Sequence, residues 1–556
     1  MFKTLYNKLK FRQPYVEDNR VIDDPDTFRW DQTADVVIAG FGGAGAAAAL
    51  EAKEKGLDVV VLDRFAGGGS TTISGGIFYA GGGTEIQKQA GVEDTPGNMF
   101  NYLKQEVQGA VKDETLQHFC NESVDSFNWL KKHGVPFDAS FFQTKTSYPP
   151  NTHYFYYSGN ESFPPYSDHA KPAARGHRAH RPGVSGAGIF EPLRKSAQRQ
   201  GIRIQTQSKV VSLLTNTEGE VIGLKAIRLD FGFFAPLLHK VFSFLHLLTR
   251  YPGLYWPPLF QVFAFLTEWI ERDFGMASYI RARKGVVLAT GGFYANQAMV
   301  KQYAPQFVGG SPLGTLADDG SGIQMAMKLG AQTRLMDSVS AWRFFNPPFS
   351  LVKGILVGPS GKRICNEMYY GAQIGERMMR EHDGKGWVIV DHKTWRKAFD
   401  DLNLKKGLWF HVLLGWFYLL LGCKKANSIR GLASKLGIDG EALHDTVATY
   451  NSTATSDQPD PMGKPKDYMQ PLGDGPYHAI NASYDYFFVS CPSLTLGGLQ
   501  VNEETGMVIG KDGNAIKGLY AAGRAAVGIP ARGYVSGLSI ADCIFSGRRA
   551  ARHMAG

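Results

Sequence analysis

The stretch that most constrains this chain is Asp35-Val36-Val37-Ile38-Ala39-Gly40-Phe41-Gly42-Gly43-Ala44-Gly45. Val36 to Ala39 is a short apolar run of the kind that forms a strand buried on both faces. Gly40-x-Gly42-x-x-Gly45 follows without a gap, and Ala44 to Lys55 has the composition of a helix. Each glycine has a separate job. Gly40 turns the chain tightly, Gly42 lets the backbone approach a pyrophosphate, and Gly45 lets helix and strand pack closely. Gly43 and Ala44 stand at the helix start, where unpaired N–H groups and the positive dipole end favour phosphate. A second strand, Asp58 to Leu62, ends at Asp63, an acid placed to bind a ribose hydroxyl, with Arg64 beside it. In a chain with 65 glycines a bare Gly-x-Gly-x-x-Gly arises by accident. Strand, glycines, helix, strand and acid in that order specify a dinucleotide site, without choosing which dinucleotide.

At 556 residues the chain is too long for one simple core, so more than one domain is expected. The charge of +9 is modest for this length; it suits an anionic membrane surface, and no nucleic-acid-binding motif accompanies it. The five cysteines, Cys120, Cys365, Cys423, Cys491 and Cys543, are scattered and form no C-x-x-C pair. Neither a metal cluster nor a disulfide framework is indicated, and a reducing, cytoplasmic setting fits. The first residues lack the pattern of a secretory signal.

The expected elements run as follows. Met1 to Arg12 spaces Phe2, Leu5, Tyr6 and Leu9 among lysines and arginine, the pattern of a basic amphipathic helix lying on a membrane. Gly67 to Gly76 is too glycine-rich for a helix or strand and reads as a loop around a cofactor, through Gly69, Ser70, Thr71, Gly75 and Gly76. Thr95 to Gly134 reads as helices with Phe127, Trp129 and Leu130 in the core. Tyr148 to Pro182 reads as a surface loop, and its His153, His169, His177 and His180 lack metal-ligand spacing. Arg203–Gln207, Val210–Leu214 and Val221–Ala226 read as a β-meander, with Val210 at the cofactor. A further strand of the nucleotide sheet runs into Ala289-Thr290-Gly291-Gly292. Near the C-terminus a strand ends at Gly523-Arg524. A loop, Gly533-Tyr534-Val535-Ser536-Gly537-Leu538, then feeds a helix from about Ser539 and Ile540. That helix start can face a flavin ring, where reduction develops negative charge.

Two apolar inserts interrupt this plan. Phe231 to Phe274 is rich in Phe, Tyr and Trp but is split by Pro252, Pro257 and Pro258, so it is no single spanning helix. Gly407 to Cys423 is almost wholly apolar and flanked by lysine pairs, at the lower length limit for a bilayer span. A true span leaves parts of one catalytic domain on opposite sides of the membrane. An in-plane or dipping hairpin at the inner face of the cell membrane is the more economical reading, against buried helices or an oligomer interface.

Taken together, Gly40 to Gly45 with Asp63, Ala289 to Gly292, Gly361 to Glu367, Leu496-Gly497-Gly498 and Gly518 to Gly523 resemble the fumarate reductase/succinate dehydrogenase flavoprotein superfamily. Gly533 to Ser539, Gly547 to Ala550 and the Gly67 to Gly83 region resemble its 3-ketosteroid dehydrogenases, in the Δ4-(5α) branch. The resemblance implies an α/β fold with FAD as cofactor: a Rossmann-like FAD-binding domain built from both chain ends, plus an α+β catalytic (capping) domain. The boundaries expected are a lead-in segment 1–30, an FAD-binding part 31–300 (insert 230–275), a catalytic domain 301–494 (insert 405–425) and the second FAD-binding part 495–556. The implied substrate is a 3-ketosteroid; the electron acceptor stays open. Alternatives are a Δ1-dehydrogenase, a fumarate-type reductase and a non-catalytic membrane-docked flavoprotein.

Desaturation beside a ketone removes a proton from the α-carbon and a hydride from the β-carbon. The proton becomes acidic only if the enolate oxygen is stabilised. The Tyr534 O–H and the Gly537 N–H, on one tight loop, are the candidate donors. By resemblance Ser536 is the base or relay, assisted by Tyr370 (or by Tyr369, one register away), with flavin N5 taking the hydride.

Overall fold

The computed structural model describes residues 10–229, 232–248, 257–345, 348–402, 409–486 and 491–556. The expected N-terminal helix lies largely outside them. The apolar run after Asp35 forms strand β1 (Gln32–Ala39), the glycine turn leads into helix α1 (Gly43–Glu54), and the chain returns as β2 (Val59–Leu62), parallel to β1. Helix α1 is buried along its length from Gly43 to Ala52. Its small side chains let backbones approach closely, and this is the physical reason for so many alanines there.

The principal sheet continues with β3 (Arg203–Gln205), β4 (Ser208–Thr215) and β5 (Val221–Arg228). Only the last two form a hairpin. Strand β3 pairs in parallel with β2 at the opposite side of the sheet, so the expected three-stranded meander is corrected. Adjacent strands in sequence need not pair, and here Gln207, at φ +52°, turns the chain between them. After the first insert comes the long strand β6 (Met276–Leu288). Its first half is antiparallel to β5, whereas its second half is parallel to β1 on one side. On the other side lies the C-terminal strand β7 (Ala515–Ala521), also parallel to β6. Nine described strands belong to this sheet. Four of them, β1, β2, β6 and β7, deliver Gly40, Asp63, Ala289 and Ala522 to one carboxyl-terminal edge, the position where ligands bind in parallel α/β sheets.

The first insert folds as two helices, α2 (Phe234–Leu248) and α3 (Pro257–Phe274), packed on one another. Pro257 and Pro258 open α3, where a missing N–H costs nothing. The second insert forms helix α4 (Trp409–Leu421). Segments on both sides of the second insert build a separate antiparallel sheet from Ile355–Val357, Trp387–Asp391, Tyr477–Asn481 and Cys423–Ala426. The C-terminal helix α5 (Leu538–Ala555) packs along α1. Glu51 of α1 accepts Arg548 and Arg552 of α5, both at 2.8 Å.

The stretch expected to be a surface loop carries short strands, Phe155–Tyr156 and Gly176–Arg178. His177 is fully buried there, 2.9 Å from Thr84 Oγ1, with burial pulling its pKa down to about 4. It is a neutral core histidine, which corrects the surface assignment. The Gly67–Gly76 run likewise contains one helical turn, Gly69–Thr72, entered through Gly68 at φ +90°.

Candidate functional site

One continuous cavity opens along the carboxyl-terminal edge of the principal sheet. At one end lies the glycine turn. Gly40 has φ +101°, and a Cβ there would meet the Ala289 carbonyl oxygen at 2.4 Å. A Cβ on Gly45 would stand 1.9 Å from the Gly40 carbonyl oxygen. Helix and strand therefore touch backbone to backbone, leaving Gly40, Gly42, Gly43 and Ala44 to line the cavity while Gly45 packs behind them. The Gly43 N–H is held by Thr71 Oγ1 at 3.0 Å, so the Gly69–Thr72 turn is fixed against the helix start.

Asp63 is buried, and its carboxylate accepts backbone N–H groups from Phe41 (2.8 Å), Phe65 (2.8 Å) and Gly67 (3.1 Å). Burial raises its pKa and these donors oppose the rise. The acid thus organises three turns around the cavity besides lining it. Arg64 and Val210 line the same end.

A second network closes the middle. Asp318 Oδ2 accepts Ser70 Oγ at 2.5 Å, and Asp318 Oδ1 accepts Arg524 Nη2 at 2.7 Å and the Gly292 N–H at 3.1 Å. One carboxylate therefore ties the N-terminal glycine loop, the Thr290-Gly291 turn and the C-terminal Arg524 together. Gly75, Gly76, Ala289, Gly523, Ser539 and Ile540 complete this part of the lining. Asp318 was not picked out as a site residue from the sequence; the Asp-Asp-Gly turn gave the only signal.

The far end is aromatic. Tyr534 lies with ring centroids 5.1 Å from Trp342 and 6.3 Å from Tyr370, and Phe344 packs on Tyr370 at 5.7 Å. Helix α4 adds Gly415 and Tyr418 to this wall. Tyr534, Ser536, Gly537 and Tyr370 all face the cavity, so the four candidate catalytic residues meet at one place. Tyr369 does not: its hydroxyl donates to the Pro164 carbonyl at 2.6 Å. Gly537, at φ +93°, precedes helix α5, and a Cβ there would meet Ile77 and the Tyr79 N–H at 2.8 Å. Only glycine fits that turn.

Ser536 Oγ accepts the Tyr156 hydroxyl at 3.3 Å. Tyr156 is a further candidate that sequence reasoning passed over, because it sits in a two-residue strand inside a loop-like stretch. Burial pushes the hydroxyls of Tyr156, Tyr370 and Tyr534 upward, with Ser536 opposing the shift at the first two. All three keep their protons near neutral pH, so they donate and relay but do not act as bases.

The residues fit a flavin dinucleotide. The glycine turn leaves no room for side chains where a pyrophosphate passes. Around the same cavity Lys209 Nζ, Thr290 Oγ1 and Arg524 Nη1 are buried without a hydrogen-bond partner among the described residues. Such groups are stabilised by a polar ligand.

The FAD binding domain family matches residues 35–537. The chain is 35% identical to the 3-oxo-5-alpha-steroid 4-dehydrogenase of Comamonas testosteroni, over 90% of this chain and 94% of that protein. The 3-oxosteroid 1-dehydrogenase of Mycolicibacterium smegmatis is 26% identical, over 88% and 92%. The crystal structure of the 3-ketosteroid-Δ4-(5α)-dehydrogenase of Rhodococcus jostii RHA1, in complex with 4-androstene-3,17-dione, superposes with a TM-score of 0.79 at 30% identity, covering 97% of this chain and 100% of that one. The chain therefore belongs to the FAD-binding flavoproteins, in the group that includes the 3-oxosteroid dehydrogenases, and its cofactor is FAD.

Proposed function

We propose that this chain is a 3-ketosteroid dehydrogenase that introduces a C4–C5 double bond into ring A of a 5α-3-ketosteroid. The observation that carries the reading is the meeting of Tyr534, Ser536, Gly537 and Tyr370 at the aromatic end of the FAD cavity. Bound FAD supplies the acceptor for the hydride leaving C5. The Tyr534 O–H and the Gly537 N–H donate to the C3 oxygen, so that removing the C4 proton builds charge where two donors already point. Ser536 takes the C4 proton while its own passes through the Tyr370 and Tyr156 hydroxyls, each of which gives up a proton as it gains one, to water as the final acceptor. A flat, apolar steroid suits the walls of Trp342, Phe344, Phe345, Leu351 and Leu494. Arg64, Lys209 and Arg524 are the basic residues of the lining, and Arg524 is paired with Asp318. That set supports an aromatic substrate end over the dicarboxylate pocket of a fumarate reductase. The identities of 35% to the 4-dehydrogenase and 26% to the 1-dehydrogenase support Δ4 over Δ1.

Anaerobic mixing with a 5α-3-ketosteroid bleaches the flavin absorbance, and NMR of the product places the new double bond at C4–C5. A C1–C2 product moves the assignment to Δ1. Bleaching by no 3-ketosteroid refutes the steroid reading.

The same enzyme meets its substrate at a lipid surface, at the cytoplasmic side of the membrane. The α2–α3 hairpin has inverted amphipathicity: Glu268, Glu271 and His239 face inward, whereas Phe234, Phe244, Leu248 and Phe265 are exposed. On α4, Leu413, Trp416 and Leu420 are exposed while Gly415 and Tyr418 line the cavity. Among the described residues no helix is long and apolar enough to cross a membrane; the exposed apolar side chains on the hairpin and α4 support an in-plane contact. Replacing Phe234, Phe244 and Leu248 together by serine abolishes co-sedimentation with anionic liposomes; undiminished binding removes the hairpin from the contact.

A further inference from the structure

Glu271 is a carboxylate on the inward face of a hairpin whose exposed face is rich in apolar side chains, 3% exposed itself. It holds Arg64 in a fork, Nε to Oε1 at 2.6 Å and Nη2 to Oε2 at 2.9 Å. Such bidentate pairs fix orientation as well as charge. The third Arg64 contact, Nη1 to Asp319 Oδ2, is 2.9 Å. Lys209 Nζ lies 3.6 Å from Glu271 and 3.8 Å from Glu268, and His239 Nε2 lies 3.0 Å from Glu271. Arg64 follows Asp63 at the end of β2, and Lys209 precedes Val210 on β4; all four line the cavity at the nucleotide end. The Lys209 ammonium is buried and has no hydrogen-bond partner among the described residues. Opposite charges hold Glu271 well below the usual carboxylate range, with Arg64 and Lys209 outweighing the cost of burial.

We propose that the α2–α3 hairpin is a clamp on the nucleotide half of FAD, and that Glu271 is the positioning residue that sets Arg64 and Lys209 against it. Without this carboxylate, Arg64 keeps one of its three contacts and Lys209 loses its nearest counter-charge. Two buried cations then face each other, and the side chains that meet the nucleotide swing away from it. The hairpin, in turn, is held down through the same two residues, so retention of FAD and order in the hairpin are reciprocally linked. This role is independent of the steroid chemistry at the other end of the cavity.

The test measures FAD release from the full-length holoenzyme, by the rise in flavin fluorescence after dilution, and the half-saturation for added FAD in turnover. Glu271→Gln is expected to release FAD at least about tenfold faster and to raise the half-saturation by a similar factor. At saturating FAD its kcat stays within about twofold of the parent. Lys240→Ala, an exposed charge on the outer side of α2, serves as the control and leaves release unchanged. If Glu271→Gln does not accumulate as folded protein, Glu271→Asp is measured instead, since it keeps the charge but cannot span the fork. Unchanged release in the variant measured overturns the proposal. So does equal acceleration in Lys240→Ala, or a kcat that falls in step with FAD affinity.

Discussion

Tyr534→Phe separates the chemistry from the packing. The half-buried Tyr534 ring packs between Trp342 and Tyr370, and phenylalanine preserves both contacts. No side chain among the described residues hydrogen-bonds to its hydroxyl, which faces the cavity. Removing that oxygen therefore leaves no buried partner unsatisfied, and the melting midpoint should stay within about 2 °C of the parent. The transition state is affected differently. One of two donors to the developing enolate oxygen is lost in a site shielded from water, and such a loss costs roughly 10²–10³-fold in kcat, or about 3–4 kcal/mol. The assay is single-turnover flavin reduction under anaerobic conditions, which isolates the chemical step from reoxidation. KM should change little, because the ketone oxygen carries only partial charge in the ground state. A reduction rate within about threefold of the parent, in a protein with unchanged melting, would refute the assignment of Tyr534 as the enolate donor.

Ser536→Ala should lower flavin reduction by roughly 10²–10⁴-fold and abolish exchange of the C4 proton with deuterated solvent, whereas Tyr156→Phe, one hydrogen bond further out, should lower it by about tenfold or less. Gly45→Ala drives a Cβ to 1.9 Å from the Gly40 carbonyl oxygen, so purified protein should carry little flavin and lose about 3 kcal/mol or more of stability, read from its absorbance spectrum and thermal melt. Burial lifts Glu106 to about 7 from its ordinary 4.5, against hydrogen bonds from Tyr102 and Asn160, with the Glu161 charge adding to the rise. A raised carboxyl pKa means the folded state holds the proton better: the contribution is whole below about pH 4.5 and is lost as pH rises through 7. Glu106→Gln should therefore flatten the fall in stability between pH 5 and pH 8 by up to about 3 kcal/mol, as measured by urea midpoints at the two pH values.

The β1–α1–β2 unit was legible because each of its signals is local: an apolar run, three glycines with steric reasons, and a terminal acid. The C-terminal loop was legible for the same reason, since Tyr534, Ser536 and Gly537 lie within four residues of one another. Pairing between distant strands leaves no such trace. Strand β3 follows α1 and the helices by a long stretch of chain, yet joins β2, and the sequence placed it beside β4 instead. Tyr156 and His177 were hidden by strands of two and three residues, too short for a period to emerge. Glu271 was masked by its neighbours: an apolar insert draws attention to its aromatic residues, and nothing in the sequence separates its buried acids, Glu268 and Glu271, from its exposed charges, Lys240, Arg272 and Asp273. Asp318 joins four segments from distant parts of the chain, a role that only the assembled site displays.

Glu51 on α1 grips Arg548 and Arg552 on α5, and a Cβ on Gly547 would strike the Ala44 carbonyl oxygen at 2.4 Å. The phosphate cradle is thus braced from behind by helix α5, which is made long after it. About 500 residues separate the two, a delay on the order of 25–100 s at ordinary elongation rates of roughly 5–20 residues per second. During that interval the first-made glycine turn has no brace, no Arg524 and no Gly537. Flavin capture consequently waits for helix α5, and a nascent chain stalled before Gly537 should be colourless however much FAD surrounds it.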